Sequence, residues 1–171
     1  MPMDDPHSPA PPDTRPATAL MAATYALGAV GAFIGYTTLS ADPPSLTWAA
    51  LLAVGGGGLL SFVRHSLFFR SDAARMGWQS GSGQRNNFQI EVGLANLAWG
   101  LLAVLAVVFG WGLAVESAAF LTFGFYLAAV AVMLLTTPHG ERTRPWRQVI
   151  AMGLFAAVLI HLGVLGMAAS G

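Results

Sequence analysis

Residues 88–111 read FQIEVGLANLAWGLLAVLAVVFGW, and the 20 residues that follow Glu91 in this stretch carry no charge. A helix of about 20 apolar residues covers the roughly 30 Å of a bilayer's hydrocarbon. Reading outward, four further stretches have the same character: 18–39 (TALMAATYALGAVGAFIGYTTL), 46–69, 114–137 and 146–168 (WRQVIAMGLFAAVLIHLGVLGMA). Pro43 and Pro44 stop the first and Pro138 the fourth, because proline cannot continue a helix. The expected fold class is all-α, an integral membrane bundle of five transmembrane helices filling residues 17–171. Ahead of it, residues 1–16 (MPMDDPHSPAPPDTRP) hold six of the ten prolines and are expected to form a disordered cytoplasmic tail. That stretch is acidic where a signal peptide is basic, so the first span should remain in the mature protein.

Composition agrees with this reading. Of the 171 residues 55% are hydrophobic and only 9% are charged, against about 25% charged in soluble domains. Such a surface excludes an ordinary soluble domain and a nucleic-acid binder. With no cysteine, disulfides, thiolate metal sites and cysteine nucleophiles are excluded as well.

The positions of the charges say more than their zero sum. All eight basic residues are arginines: Arg15 before the first span, Arg64, Arg70, Arg75 and Arg85 around the second connection, and Arg142, Arg144 and Arg147 around the fourth. Five spans put all eight on one side and none on the other. By the positive-inside rule the N-terminus is expected inside and the C-terminus outside, in a multi-pass protein of the bacterial inner membrane. Trp48 and Trp111 then fall at outer ends and Trp146 at an inner end, with Trp78 in the inner loop, as an interfacial aromatic belt requires. Trp99 alone is mid-span.

Helices in lipid associate where small residues let backbones approach. Thr24, Gly28, Gly31 and Gly35 form such a stripe on the first span, and Gln89, Gly93, Asn96 and Gly100 another on the third. Gly153, Ala157 and His161 are the candidate seam of the fifth. The run Gly55–Gly58 should loosen the second helix or admit a bulky neighbour.

Polar groups at membrane depth are candidates for function. Arg64 and His65 end the second span, and Gln89 and Glu91 begin the third on the same side, with Asn87 as a plausible N-cap and Asn96 further along. Arg64 and Glu91 are expected to pair at the inner rim beside His65. This group reads as a cytoplasm-facing polar pocket for a metal or an anionic headgroup, or as an ion pair that closes the bundle. Arg70, Arg75, Arg142, Arg144 and Arg147 are expected to clasp lipid phosphates. His139 and Glu141 lie on the same side. No spacing supports a metal site, a catalytic set or a phosphate-binding loop, and Gly55–Gly58 lacks the Lys-Ser/Thr that such a loop needs.

His161 lies 14 residues after Arg147, about 21 Å along a helix. A buried imidazole there either bonds a neighbouring backbone or ligates a tetrapyrrole. Ala157 and His161, on a helix that Arg147 introduces, resemble the helix of bacterial light-harvesting polypeptides. The resemblance implies bacteriochlorophyll, or another tetrapyrrole, with His161 as axial ligand. It covers about 22 residues.

A broader resemblance rests on Arg64-His65, Ala74–Trp78 (ARMGW) and Phe88–Gly100 (FQIEVGLANLAWG). This pattern is similar to a family of small uncharacterised bacterial multi-span proteins, with Met76 and Asn87 as departures from it. The resemblance implies a shared fold and no activity. Three functions stay open: a non-catalytic accessory or structural subunit of a larger membrane complex, a pigment- or cofactor-bearing subunit, and a small transporter or membrane enzyme using the pocket around Glu91. Membrane lipids and other membrane subunits are the expected partners.

Overall fold

The computed structural model describes residues 12–76, 87–136 and 146–171. Trp78, Arg85, His139, Glu141, Arg142, Arg144 and most of the proline-rich tail lie outside the described residues. Among the described residues six helices follow in order: α1 (Arg15–Leu39), α2 (Thr47–Leu67), α3 (Phe69–Met76), α4 (Asn87–Val108), α5 (Leu113–Thr136) and α6 (Trp146–Ala169). All except the short α3 are long and apolar enough to cross a membrane. The first begins three residues earlier than its apolar run, at Arg15. Pro16 sits in its first turn, where no intrahelical N–H is required. Between α4 and α5 the chain reverses through Gly110 (φ +62°) and Gly112 (φ +88°), a left-handed backbone that other residues rarely adopt.

The five long helices alternate in direction. Near the start of α1 the Ala17 N–H donates to Ser71 Oγ (3.2 Å), just past the end of α2. At the other end Thr47 Oγ1 donates to Glu116 Oε1 (2.9 Å), joining the first turns of α2 and α5. Arg15, Arg64, Arg70, Arg75 and Arg147 therefore share one end of the bundle, the arginine end.

Small residues decide the packing. Thr24, Gly28, Gly31 and Gly35 are all buried. A Cβ at Gly31 would lie 2.9 Å from the Ala53 backbone nitrogen, and one at Gly35 3.2 Å from Ala49 Cβ, so α1 rests directly on α2. Thr24 bonds its own helix, through Leu20 O at 2.9 Å. The α4 stripe of Gln89, Gly93, Asn96 and Gly100 is buried throughout. Opposite it, the glycine run of α2 does two things. The helix widens to π winding over Ala50–Gly56, and Gly58 brings α2 against a backbone rather than a bulky side chain. A Cβ there would fall 2.6 Å from Asn96 O and 2.8 Å from Gly100 Cα.

The seam expected on the last span is corrected. Ala157 and His161 are exposed, and a Cβ on Gly153 would meet nothing within 4 Å. Instead α6 buries Ala156, Leu159, Leu162, Gly163 and Gly166. The reason is the partner surface: Gly124 of α5 lies under Ile160, and Gly163 faces Leu121 and the Ser117 carbonyl. Phe120, Phe123, Leu46, Leu159 and Leu162 fill the core between them.

Candidate functional site

The last turn of α2 has π winding over Val63–Leu67, a local feature frequent at functional sites. At Phe68 the backbone leaves the helical region (φ −102°, ψ 31°), and α3 then turns across the arginine end. Its sequence FRSDAARM buries Ser71 and Asp72. Asp72 is fully buried, and four side chains converge on it. Oδ2 lies 2.8 Å from His65 Nδ1 and accepts from Gln89 Nε2 at 3.1 Å. Oδ1 lies 3.5 Å from Arg64 Nε and 3.4 Å from an Arg75 terminal nitrogen.

The Arg64 guanidinium also lies 2.9 Å from His65 Nε2. A neutral His65 with its proton on Nδ1 fits both neighbours, accepting from Arg64 and facing Asp72, although the Nδ1 contact is off the line of an ideal hydrogen bond. Burial pushes the Asp72 carboxyl upward. The short His65 contact, Arg64 and then Arg75 outweigh burial and hold it below the usual aspartate value. Gln89 further ties the site to the chain through its bond to Phe69 O (3.1 Å).

Beside this cluster lies a cavity of about 440 Å³, within the roughly 300–1,000 Å³ of small-molecule sites. Ser61, Arg64 and His65 of α2, Arg75 and Met76 of α3, Glu91, Val92, Ala95 and Asn96 of α4, Tyr126, Leu127, Val130 and Met133 of α5, and Gln148 and Met152 of α6 form its wall. From Leu134 back to Tyr126 it extends about 12 Å along α5, roughly two fifths of the thickness of a bilayer core. Its charged residues sit at the arginine end, while alanine, leucine, valine, Asn96 and Tyr126 line its depth. The exposed Phe88, Glu91 and Met133 mark its mouth. A second cavity of about 50 Å³ adjoins it between Arg64, Arg75, Thr24, Tyr25 and Phe155.

Arg64, His65, Gln89, Glu91 and Asn96 are thus gathered at one end, with a different carboxylate at the centre. Arg64 meets Asp72, not Glu91, which is exposed at the rim. Gln89 is part of the Asp72 cluster, and Asn96 lines the cavity while donating to Val92 O (2.7 Å). Of the arginines expected at headgroups, Arg70 and Arg147 are exposed at the arginine end, Arg70 with its guanidinium 5.7 Å from the Phe69 ring. Arg75 turns inward. Arg142 and Arg144 are outside the described residues. Asp72 was hidden because residues 70–87 read as a loop; its only signal was the i,i+3 spacing to Arg75.

His161 is exposed rather than buried, and its Nδ1 lies 2.8 Å from the Tyr36 hydroxyl. Ala157, one turn earlier, is exposed on the same helix. A planar ring against this face would find Ala157 and Gly153 open, and Tyr36 would orient the imidazole as a second-sphere partner does.

No curated protein and no solved structure shows significant similarity to the chain. Residues 18–137, which hold nearly all of the first four long apolar helices, all of the Asp72 cluster and most of the cavity wall, match one family over more than two thirds of the sequence. The chain belongs to DUF6790, a family of unknown function.

Proposed function

We propose that this multi-pass membrane protein is a non-catalytic binding subunit that takes one amphipathic small molecule into the cavity at its arginine end. The observation that carries the reading is the ligand-sized cavity itself, charged at one end and apolar along its depth. The buried ionisable groups nearby, Arg64, His65 and Arg75, are engaged with Asp72, which supports binding rather than turnover. The protein serves as an accessory or structural subunit of a larger complex, with lipids and other membrane subunits as partners. It lies in the bacterial inner membrane with the arginine end in the cytoplasm, N-terminus in and C-terminus out. The arginine distribution supports that orientation.

Native mass spectrometry of gently extracted protein tests the binding role. One small-molecule adduct per chain is expected, lost in Ala95→Phe, which sets a bulky ring in the cavity wall. Wild type without any adduct, or a variant that keeps it, contradicts the reading.

A second reading is favoured by the Tyr36–His161 contact on an exposed face: His161 as axial ligand of a tetrapyrrole, the group itself supplying light absorption. A visible absorption band that disappears in His161→Leu is the expected result. Colourless protein from a pigment-making host ends it.

A further inference from the structure

The cavity has a chemical polarity that narrows its ligand. Two guanidiniums, Arg64 and Arg75, line it, and both lean on a single carboxylate oxygen of Asp72 at 3.5 and 3.4 Å. The other oxygen is already occupied by His65 and Gln89. Each guanidinium has five donors, and the buried Nε atoms of both arginines lack a hydrogen-bond partner among the described residues. Two positive charges against one buried negative charge leave the cluster cationic, with His65 neutral. Glu91, the remaining acid of the wall, is exposed at the rim and forms no ion pair among the described residues. Buried donors without acceptors are costly, and a guanidinium's fork matches a phosphate or carboxylate.

We infer that the ligand is a single-chain amphiphile with an anionic head, a phosphate monoester or carboxylate, which Arg64 and Arg75 hold while its chain runs along Ala95, Leu127 and Val130. The inference rests on the binding role proposed above and names the ligand class. A cationic head would be repelled by the same pair. A neutral head would leave the excess positive charge of the pair uncompensated.

The test uses the full chain in maltoside micelles with three probes: oleoyl lysophosphatidate, monooleoylglycerol with the same chain, and inorganic phosphate. Lysophosphatidate is expected to bind at least about tenfold tighter than monooleoylglycerol. Arg75→Gln should remove that preference and leave monooleoylglycerol binding unchanged, and Arg75→Lys should retain part of it. Inorganic phosphate alone, bound as tightly as lysophosphatidate, would keep the anion site but identify a soluble source and overturn the amphiphile. Equal binding of the two amphiphiles, each lost in Ala95→Phe, overturns the anionic head and leaves the cavity reading standing. If neither amphiphile binds, or Ala95→Phe changes nothing, the cavity reading itself fails.

Discussion

The two ends of this bundle are held together by different chemistry. Toward the middle and the end opposite the arginines, glycine and alanine bring backbones into contact: Gly31 on Ala53, Gly58 on Gly100, Gly163 on the Ser117 carbonyl. A polar tie there joins Thr47 to the buried Glu116. At the arginine end, charged and amide side chains radiate from Asp72 and a cavity opens beside them. Close packing over small residues fixes helix positions without any polar group. A buried ion cluster costs desolvation and is weak grounds for stability in itself. Its presence next to a cavity is therefore the feature that calls for a function.

The largest expected effect comes from removing the hub. Asp72→Ala leaves Arg64 and Arg75 buried without their carboxylate, and should lower unfolding stability by about 3–5 kcal/mol, read from denaturant titration in micelles. Gly58→Ala tests the other end of the comparison. Its Cβ would press on the Asn96 carbonyl and the Gly100 backbone, which cannot rotate away, at an expected cost of about 2–3 kcal/mol. A loss below about 0.5 kcal/mol in either variant would break the contrast drawn here.

Protonation gives a graded version of the first test. Asp72 has its carboxyl pKa held down in the folded state, so its contribution is present at neutral pH and above the unfolded value of about 3.9. It is lost as pH falls through the still lower folded value. Stability should therefore fall on acidification below about pH 4, and Asp72→Asn should flatten that part of the profile. An unchanged acid profile in the variant would show that other groups carry it.

A smaller effect compares two glycines on one helix. Gly153→Leu meets open space and should change stability by under about 0.5 kcal/mol, whereas Gly163→Leu must displace Leu121 and the Ser117 carbonyl and should cost about 2 kcal/mol or more.

That pair also marks what could be read from the chain beforehand. The five long apolar helices were legible from the length of their apolar runs, and the stripes Thr24–Gly35 and Gln89–Gly100 because small-residue spacing and helical period coincide. On α6 two small-residue faces compete, one through Gly153, Ala157 and His161 and one through Ala156, Gly163 and Gly166. Only the shape of α5, with Gly124 and Leu121 at the contact, chooses between them. Arg64, His65 and Gln89 were placed at one end by span direction alone. Asp72 was not, because its burial depends on α3 turning back across the bundle, a tertiary event that FRSDAARM does not announce. Once that carboxylate takes Arg64, Glu91 is left at the rim.

The most direct test of the central claim, a cavity at the arginine end that receives one amphiphile, uses Trp99. Its ring packs on Tyr126 of the cavity wall with centroids 4.6 Å apart. In a variant with Trp99 as the only tryptophan, a bromine-labelled single-chain phosphate amphiphile should quench its fluorescence and saturate at one molecule per chain. Adding Ala95→Phe should abolish that quenching. Quenching that rises without saturation, or survives Ala95→Phe unchanged, would mean that the amphiphile contacts only the outer surface of the bundle and would contradict the account.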